Sequence, residues 1–125
     1  MLVDTDVLIW HLRGYPQAAR RLDSLAALKM SAVSYMELLQ GMRNKAELTA
    51  LRTMLAQRAA AILPLTPAIT QRATALMETM VLSHGLQMAD ALVAATGLEH
   101  GLVLLTGNVK HFVSIDGLLI ERFSP

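Results

Sequence analysis

The chain contains 125 residues, with 11 Lys and Arg against 10 Asp and Glu, no Cys, and 54% hydrophobic residues. This length and apolar content are typical of one folded domain with an ample core, and they exclude a disordered tail. The absence of Cys excludes disulfide scaffolds, thiolate zinc sites, iron–sulfur clusters and cysteine nucleophiles.

Short apolar runs alternate with longer segments of helical periodicity along the chain. The runs predict strands at 1–3, 29–33, 61–65, 102–105 and 118–120. The periodic segments predict helices at 5–12, 16–27, 34–42, 46–60, 67–83 and 87–100. Thr66 before Pro67 predicts a helix start, and Gly85 and Gly101 predict helix ends. The alternation predicts an α/β fold with a mostly parallel sheet, and one domain spanning 1–125.

The first residues carry Asp4 and Asp6 where a secretory signal would need a basic region followed by an apolar run. No apolar stretch reaches the roughly 18 to 20 residues that cross a bilayer. We therefore expect a cytoplasmic protein with no membrane segment. Charged residues make up 17% of the chain, less than the roughly 25% typical of soluble domains, so self-association is expected to cover part of an apolar surface.

Acidic residues follow or flank the predicted strands. Asp4 ends the first strand and Asp6 comes two residues later, while Glu37 lies one turn into the helix after the second strand. Asp90 lies near the start of the helix that precedes 102–105, and Thr106-Gly107-Asn108 follows that strand directly. Because ligands of parallel α/β sheets bind at the carboxyl ends of the strands, these side chains are expected to converge there.

Asp90 shares its helix face with the apolar or small residues Val93, Ala94 and Gly97. An unpaired carboxylate in a dry interior costs several kcal/mol, so this residue needs a partner. A divalent metal ion is an attractive one, and oxygen ligands without His or Cys favour Mg²⁺ or Mn²⁺ over zinc. Such ions stabilise phosphoryl transfer, which points to nuclease-type chemistry.

The charge distribution is consistent with a polyanionic substrate. If Asp4, Asp6, Glu37 and Asp90 are withdrawn into a pocket, 11 basic residues face 6 acidic ones, a net charge of +5. The basic residues available to meet nucleic-acid phosphates are Arg13, Arg20, Arg21, Arg43, Lys45, Arg52, Arg58, Arg72 and Lys110.

Each candidate also has a structural interpretation. Ser34 and Glu37 have the spacing of a capping box, with Ser at the helix cap and Glu three residues later. Asp4 and Asp6 can cap the helix that begins near position 5 and complement its dipole, and Asp90 near a helix start also interacts favourably with a dipole. Asn108 after a glycine can be a turn residue. The histidines, His111 included, show no paired metal-ligand spacing and are interpreted as structural.

Four segments in order resemble PIN-domain proteins, and especially the VapC toxins of bacterial toxin–antitoxin pairs. They are LVDTD at 2–6, ELLQG at 37–41, ADALVAAT at 89–96 and LTGNVKHF at 105–112. The resemblance covers the whole chain. It implies a PIN-like three-layer α/β/α fold with a central, mostly parallel sheet, Mg²⁺- or Mn²⁺-dependent endoribonuclease activity, and a homodimer. It also implies inhibition by a cognate VapB-like antitoxin, which would make the contacts to operator DNA.

Carried over by motif, Asp4, Glu37 and Asp90 match the metal-binding acids of these proteins, while Thr106 and Asn108 match the fourth motif. Many relatives have an acid at position 108 or 111, where this chain has Asn and His. The resemblance therefore implies a weaker second metal site, or a one-metal site completed by substrate. The acids are expected to hold a metal that orients water for in-line attack on an RNA phosphodiester.

A second interpretation is a catalytically weak PIN module that acts as a binding protein in a complex with an antitoxin and operator DNA. Metal-dependent cleavage by pure protein would separate the two. A third, a purely structural α/β interaction domain, is disfavoured by the carboxylates on apolar helix faces.

Overall fold

Five parallel strands form one sheet in the computed structural model, which describes residues 1–125. The strands are Leu2–Val3 (β1), Lys29–Ser31 (β2), Ala61–Leu63 (β3), Leu104–Thr106 (β4) and Ile120–Arg122 (β5), in the spatial order β3-β2-β1-β4-β5. The helices are Thr5–Leu12 (α1), Pro16–Asp23 (α2), Ala32–Gln40 (α3), Lys45–Gln57 (α4), Pro67–His84 (α5) and Met88–His100 (α6), with a 3₁₀ turn at Val109–His111. The predicted α/β fold with a parallel sheet is confirmed.

The sheet lies between two apolar clusters because successive side chains of a strand point to opposite faces. Leu2 of β1 and Leu104 of β4 pack on the side of α5 and α6. Val3 and Leu105, one residue later in each strand, pack on the side of α1 to α4. All four side chains are fully buried. The result is a three-layer α/β/α arrangement with β1 at its centre.

Helix boundaries set by local chemistry lie where the sequence predicts them. The Thr66 side chain accepts a hydrogen bond from the Ile69 backbone N–H at 3.2 Å and caps α5. Gly85 and Gly101 end α5 and α6 with φ of 62° and 61°, a left-handed conformation that favours glycine. No helix combines the length and the apolar character needed to cross a membrane.

The start of α3 differs from the prediction. Ser31, not Ser34, is the N-cap, and its hydroxyl accepts from the Val33 backbone N–H at 3.2 Å. Ser34 lies buried inside the helix, where its hydroxyl oxygen has no hydrogen-bond partner. The capping-box interpretation of Glu37 is therefore wrong. The predicted fifth strand is also displaced, since β5 begins at Ile120 rather than at position 118.

Candidate functional site

The candidate acids lie around the carboxyl ends of β1 and β4, on the elements that follow or approach these strands. Asp4 occupies the single position between β1 and α1, and Asp6 lies in the first turn of α1. Glu37 projects from α3, the helix that follows β2, and Asp90 lies in the first turn of α6. The turn after β4 completes the site. The topology thus brings the sequence candidates together at one edge of the sheet.

Asp4 is buried, with 6% of its surface exposed, and both of its oxygens accept hydrogen bonds. The Thr5 backbone N–H donates to Oδ1 at 2.8 Å and the Thr106 hydroxyl donates to Oδ2 at 2.7 Å. Asp4 is therefore the N-cap of α1, as the structural interpretation predicted, and it also faces the end of β4. The Thr106 oxygen accepts in turn from the Asn108 backbone N–H at 3.0 Å. Thr106 thus links Asp4 to the turn that carries Asn108.

Asp6 contacts the same turn from the other side. Its Oδ2 accepts from the Gly107 backbone N–H at 2.8 Å. The carboxylate lies so close that a Cβ at position 107 would be 2.7 Å from Asp6 Oδ2 and 3.4 Å from the Phe123 carbonyl oxygen. A side chain at position 107 would therefore displace the Asp6 carboxylate from its present position. The other oxygen, Asp6 Oδ1, is buried and has no hydrogen-bond partner.

Replacing Gly107 with Ala is expected to destabilise the protein by about 1 to 3 kcal/mol, because the added methyl group overlaps the Asp6 carboxylate. Urea denaturation measures the loss. Gly41→Ala is the matched control, since a Cβ there meets its nearest atom at 3.6 Å. Equal stability of the Gly107→Ala variant and the unmodified protein would contradict the contact.

Glu37 and Asp90 each have one partner across the site. Glu37 is exposed, and its Oε1 accepts from the Thr5 hydroxyl at 2.7 Å, which joins α3 to α1. Asp90 Oδ2 lies 3.2 Å from His111 Nδ1, and its side chain is 23% exposed. Sequence reasoning missed His111 because it searched for paired histidine ligands. The available signal was its place in the 105–112 segment, directly after the strand that ends at the site.

The buried carboxylates disfavour one another's charge. Burial raises the pKa of Asp4 to about 7. The nearby carboxylates of Asp6 and Asp90 also raise it, whereas the hydrogen bonds from Thr106 and Thr5 lower it. Burial also raises the pKa of Asp6, opposed mainly by the Gly107 hydrogen bond. The pKa of Asp90 is raised first by burial and then by Glu37, while His111 opposes the rise. A cation at this point would favour the ionised forms of all three.

The donor set fits a hard divalent cation such as Mg²⁺ or Mn²⁺. Every candidate ligand is a carboxylate oxygen, and Asp6 Oδ1 is a buried oxygen without a partner. No three acidic or histidine side chains stand in an arrangement that holds one ion at once, because Glu37 turns toward Thr5 and Asp90 toward His111. Each of these two side chains makes a single polar contact across the site.

The predicted basic residues divide into those held in ion pairs and those that are not. Four of the nine expected cations are engaged in ion pairs, which are Arg21–Glu121, Arg43–Glu47 at 2.7 Å, Arg58–Asp23 at 2.7 Å and Arg72–Glu99 at 2.6 Å. The five that form no ion pair are Arg13, Arg20, Lys45, Arg52 and Lys110. Of these, Arg13 lines an open groove beside Glu37, and Lys110 lies in the 3₁₀ turn between Asn108 and His111. These two are the cations best placed to meet a phosphate near the carboxylates.

Known proteins are similar to this chain over nearly its whole length. The family model described as PIN domain matches residues 1–118. The chain is 38% identical over 122 residues to a protein of Mycobacterium tuberculosis named Ribonuclease VapC10, covering 94% of this chain and 90% of that one. A toxin–antitoxin complex from Klebsiella pneumoniae contains a chain that is 28% identical, with a TM-score of 0.76 and 98% of each chain covered. VapBC2 from Rickettsia felis, solved bound to a DNA fragment from its promoter, shares the fold with a TM-score of 0.84 at 20% identity and the same coverage.

Proposed function

Since the chain belongs to the PIN-domain family, we propose that it is a metal-dependent endoribonuclease that acts as the toxin of a VapBC-type toxin–antitoxin pair. The observation that carries the proposal is the cluster of Asp4, Asp6 and Asp90 at the strand ends, where burial raises the pKa of each carboxyl group. The similarity to a ribonuclease over most of both chains supports RNA as the substrate.

In this proposal Asp4, Glu37 and Asp90 hold Mg²⁺ or Mn²⁺, which supplies Lewis-acid stabilisation of the scissile phosphate and a more acidic water. The protein's own contribution is positioning. Thr106 holds Asp4 through its hydroxyl, and Thr5 holds Glu37 in the same way. The Thr106 hydrogen bond acts to lower the pKa of Asp4, so it favours the ionised form, the form that binds a metal.

Asn108 and His111 have neutral or basic side chains at the edge of this site. The Asn108 backbone is held by Thr106, and its side chain forms no cap hydrogen bond, so the amide oxygen is free to face a ligand. With no carboxylate on this turn, a second metal is expected to bind more weakly than the first, or only together with substrate.

The proposed partners are a VapB-like antitoxin and, through it, operator DNA. The similarity to a chain of a toxin–antitoxin complex supports the first. A cytoplasmic location, where RNA and antitoxin are both present, belongs to the same proposal. A homodimer is also proposed, since several large apolar side chains are well exposed. They are Leu82, Met88, Val113 and Leu119, which are 65% to 98% exposed.

Purified protein is expected to cleave RNA with Mg²⁺ or Mn²⁺ and to lose at least about 100-fold of this activity in excess chelator, because every proposed ligand is an oxygen donor. Cleavage of single-stranded RNA, with and without chelator, measures the effect, and added metal should restore it. The Asp90→Asn variant, purified in parallel, controls for contaminating nucleases.

Full activity in excess chelator would overturn the metal mechanism. A protein that binds its antitoxin tightly yet cleaves no RNA with either metal would favour the alternative, a catalytically weak PIN module that acts as a binding protein.

A further inference from the structure

The turn that follows β4 carries no negative charge of its own. It begins at Thr106, the last residue of β4, and continues through Gly107 and Asn108. Asp4 contacts it at the Thr106 hydroxyl, and a second carboxylate, from α1, contacts its backbone, because Asp6 Oδ2 accepts from the Gly107 backbone N–H at 2.8 Å. The missing Cβ of Gly107 is what lets the carboxylate approach, since a side chain there would lie 2.7 Å from Asp6 Oδ2.

Asp6 uses only half of its hydrogen-bonding capacity within the chain. Oδ2 is occupied by Gly107, whereas Oδ1 is buried without any partner. A carboxylate oxygen that is buried without a hydrogen-bond partner is costly within the chain alone, and a bound cation would offset that cost. The second oxygen and the negative charge therefore have a use that the chain itself does not supply.

We propose that Asp6 is an additional carboxylate ligand of the metal site, supplying on the side of the 106–108 turn the negative charge that this turn lacks. The proposal rests on the metal-dependent function above. It extends the ligand set from Asp4, Glu37 and Asp90 to four carboxylates. It also gives Gly107 a role, which is to let the Asp6 carboxylate lie against the turn.

The decisive variant is Asp6→Asn, because the amide oxygen can still accept from Gly107 while the charge is lost. We expect calorimetric titration of the metal-free protein to show Mn²⁺ binding weakened by about 10-fold or more, as for the loss of a supporting or direct ligand. The double variant Asp6→Asn/Asn108→Asp returns a carboxylate to the same turn and is expected to recover most of the affinity.

The matched control is Asp116→Asn, the same chemical change at an exposed position. Its neighbour Gly117 lies beside Leu98, which is two turns along α6 from Asp90, so position 116 is away from the carboxylate cluster. This variant should therefore bind Mn²⁺ as tightly as the unmodified protein does. Urea denaturation of each variant with and without Mn²⁺ gives a second readout. For each variant, the free energy of unfolding with Mn²⁺ is compared with the value without Mn²⁺. The difference reports metal binding separately from any loss of stability that the substitution itself causes.

Unchanged Mn²⁺ affinity in Asp6→Asn would overturn the assignment while leaving the proposed nuclease intact. A double variant as weak as Asp6→Asn would overturn the claim that the missing charge is what matters. Absence of Mn²⁺ binding in the unmodified protein would overturn the metal mechanism itself, and the assignment of Asp6 with it.

Discussion

Replacing Asp90 with Asn is expected to reduce RNA cleavage by at least about 100-fold, equivalent to about 2.7 kcal/mol of transition-state stabilisation, while the metal-free protein becomes no less stable. Asn keeps the size of the side chain but removes a charge that burial and the carboxylates of Glu37 and Asp6 disfavour. His111 loses its partner, yet its side chain is 42% exposed and is solvated at little cost. Thermal unfolding without metal, together with RNA cleavage in Mg²⁺, measures both effects.

The Asp116→Asn variant serves again as the control, since it makes the same replacement at an exposed position outside the carboxylate cluster. It should match the unmodified protein in both measurements. If Asp90 only stabilised the start of α6, its loss would cost up to about 1 kcal/mol of dipole interaction and leave cleavage intact. An Asp90→Asn variant that is less stable but fully active would therefore mean that the residue is structural.

Replacing Asp4 with Asn is expected to stabilise the metal-free protein at pH 8, by up to about 4 kcal/mol, and to have little effect at pH 4. Burial raises the pKa of Asp4 from 3.8 to about 7. Each unit of such a shift corresponds to about 1.4 kcal/mol. The stability associated with the protonated form is fully present below pH 3.8 and is lost as pH rises through about 7. The Asn variant has no charge to bury, so the gain appears only on the alkaline side.

Urea denaturation between pH 4 and 8 in chelator measures this difference. The value of 4 kcal/mol is an upper limit, because Asn has one acceptor oxygen fewer and loses the hydrogen bond from Thr5 or from Thr106. Saturating Mg²⁺ should reverse the order of stability, because only the unmodified protein keeps the charge that the metal neutralises. A stability difference between the two proteins that does not change with pH would show that folding does not raise the pKa of Asp4.

The sequence predicted those parts of the fold that depend on local chemistry. Thr66, Gly85 and Gly101 mark helix ends because caps are built from a few consecutive residues. The N-cap of α3 was predicted three residues too late because Ser31 and Ser34 both have capping side chains. The pairing of Ser31 with Leu63 in the sheet, together with the burial of Ser34, decides between them.

The candidate site was predictable in its acids but not in their contacts. Asp4 and Asp90 stand out because an acid at a strand end or on an apolar helix face is visible in the sequence. The tie from Asp6 to Gly107 spans 101 residues and the tie from Thr5 to Glu37 spans 32, and no local pattern encodes either. The ion pairs that engage four expected cations also form largely between distant residues, so composition does not show which cations remain unpaired.

The central position of β1 has a consequence for the synthesis of the protein. The ribosome makes Asp4 before its hydrogen-bond partner Thr106, which comes 102 residues later in the chain. At about 5 to 20 residues per second, the ribosome adds Thr106 about 5 to 20 seconds after Asp4. Until then β1 lacks its neighbour β4, and the acids have no turn to pack against. A nascent chain that has not yet reached Thr106 therefore has no assembled carboxylate site.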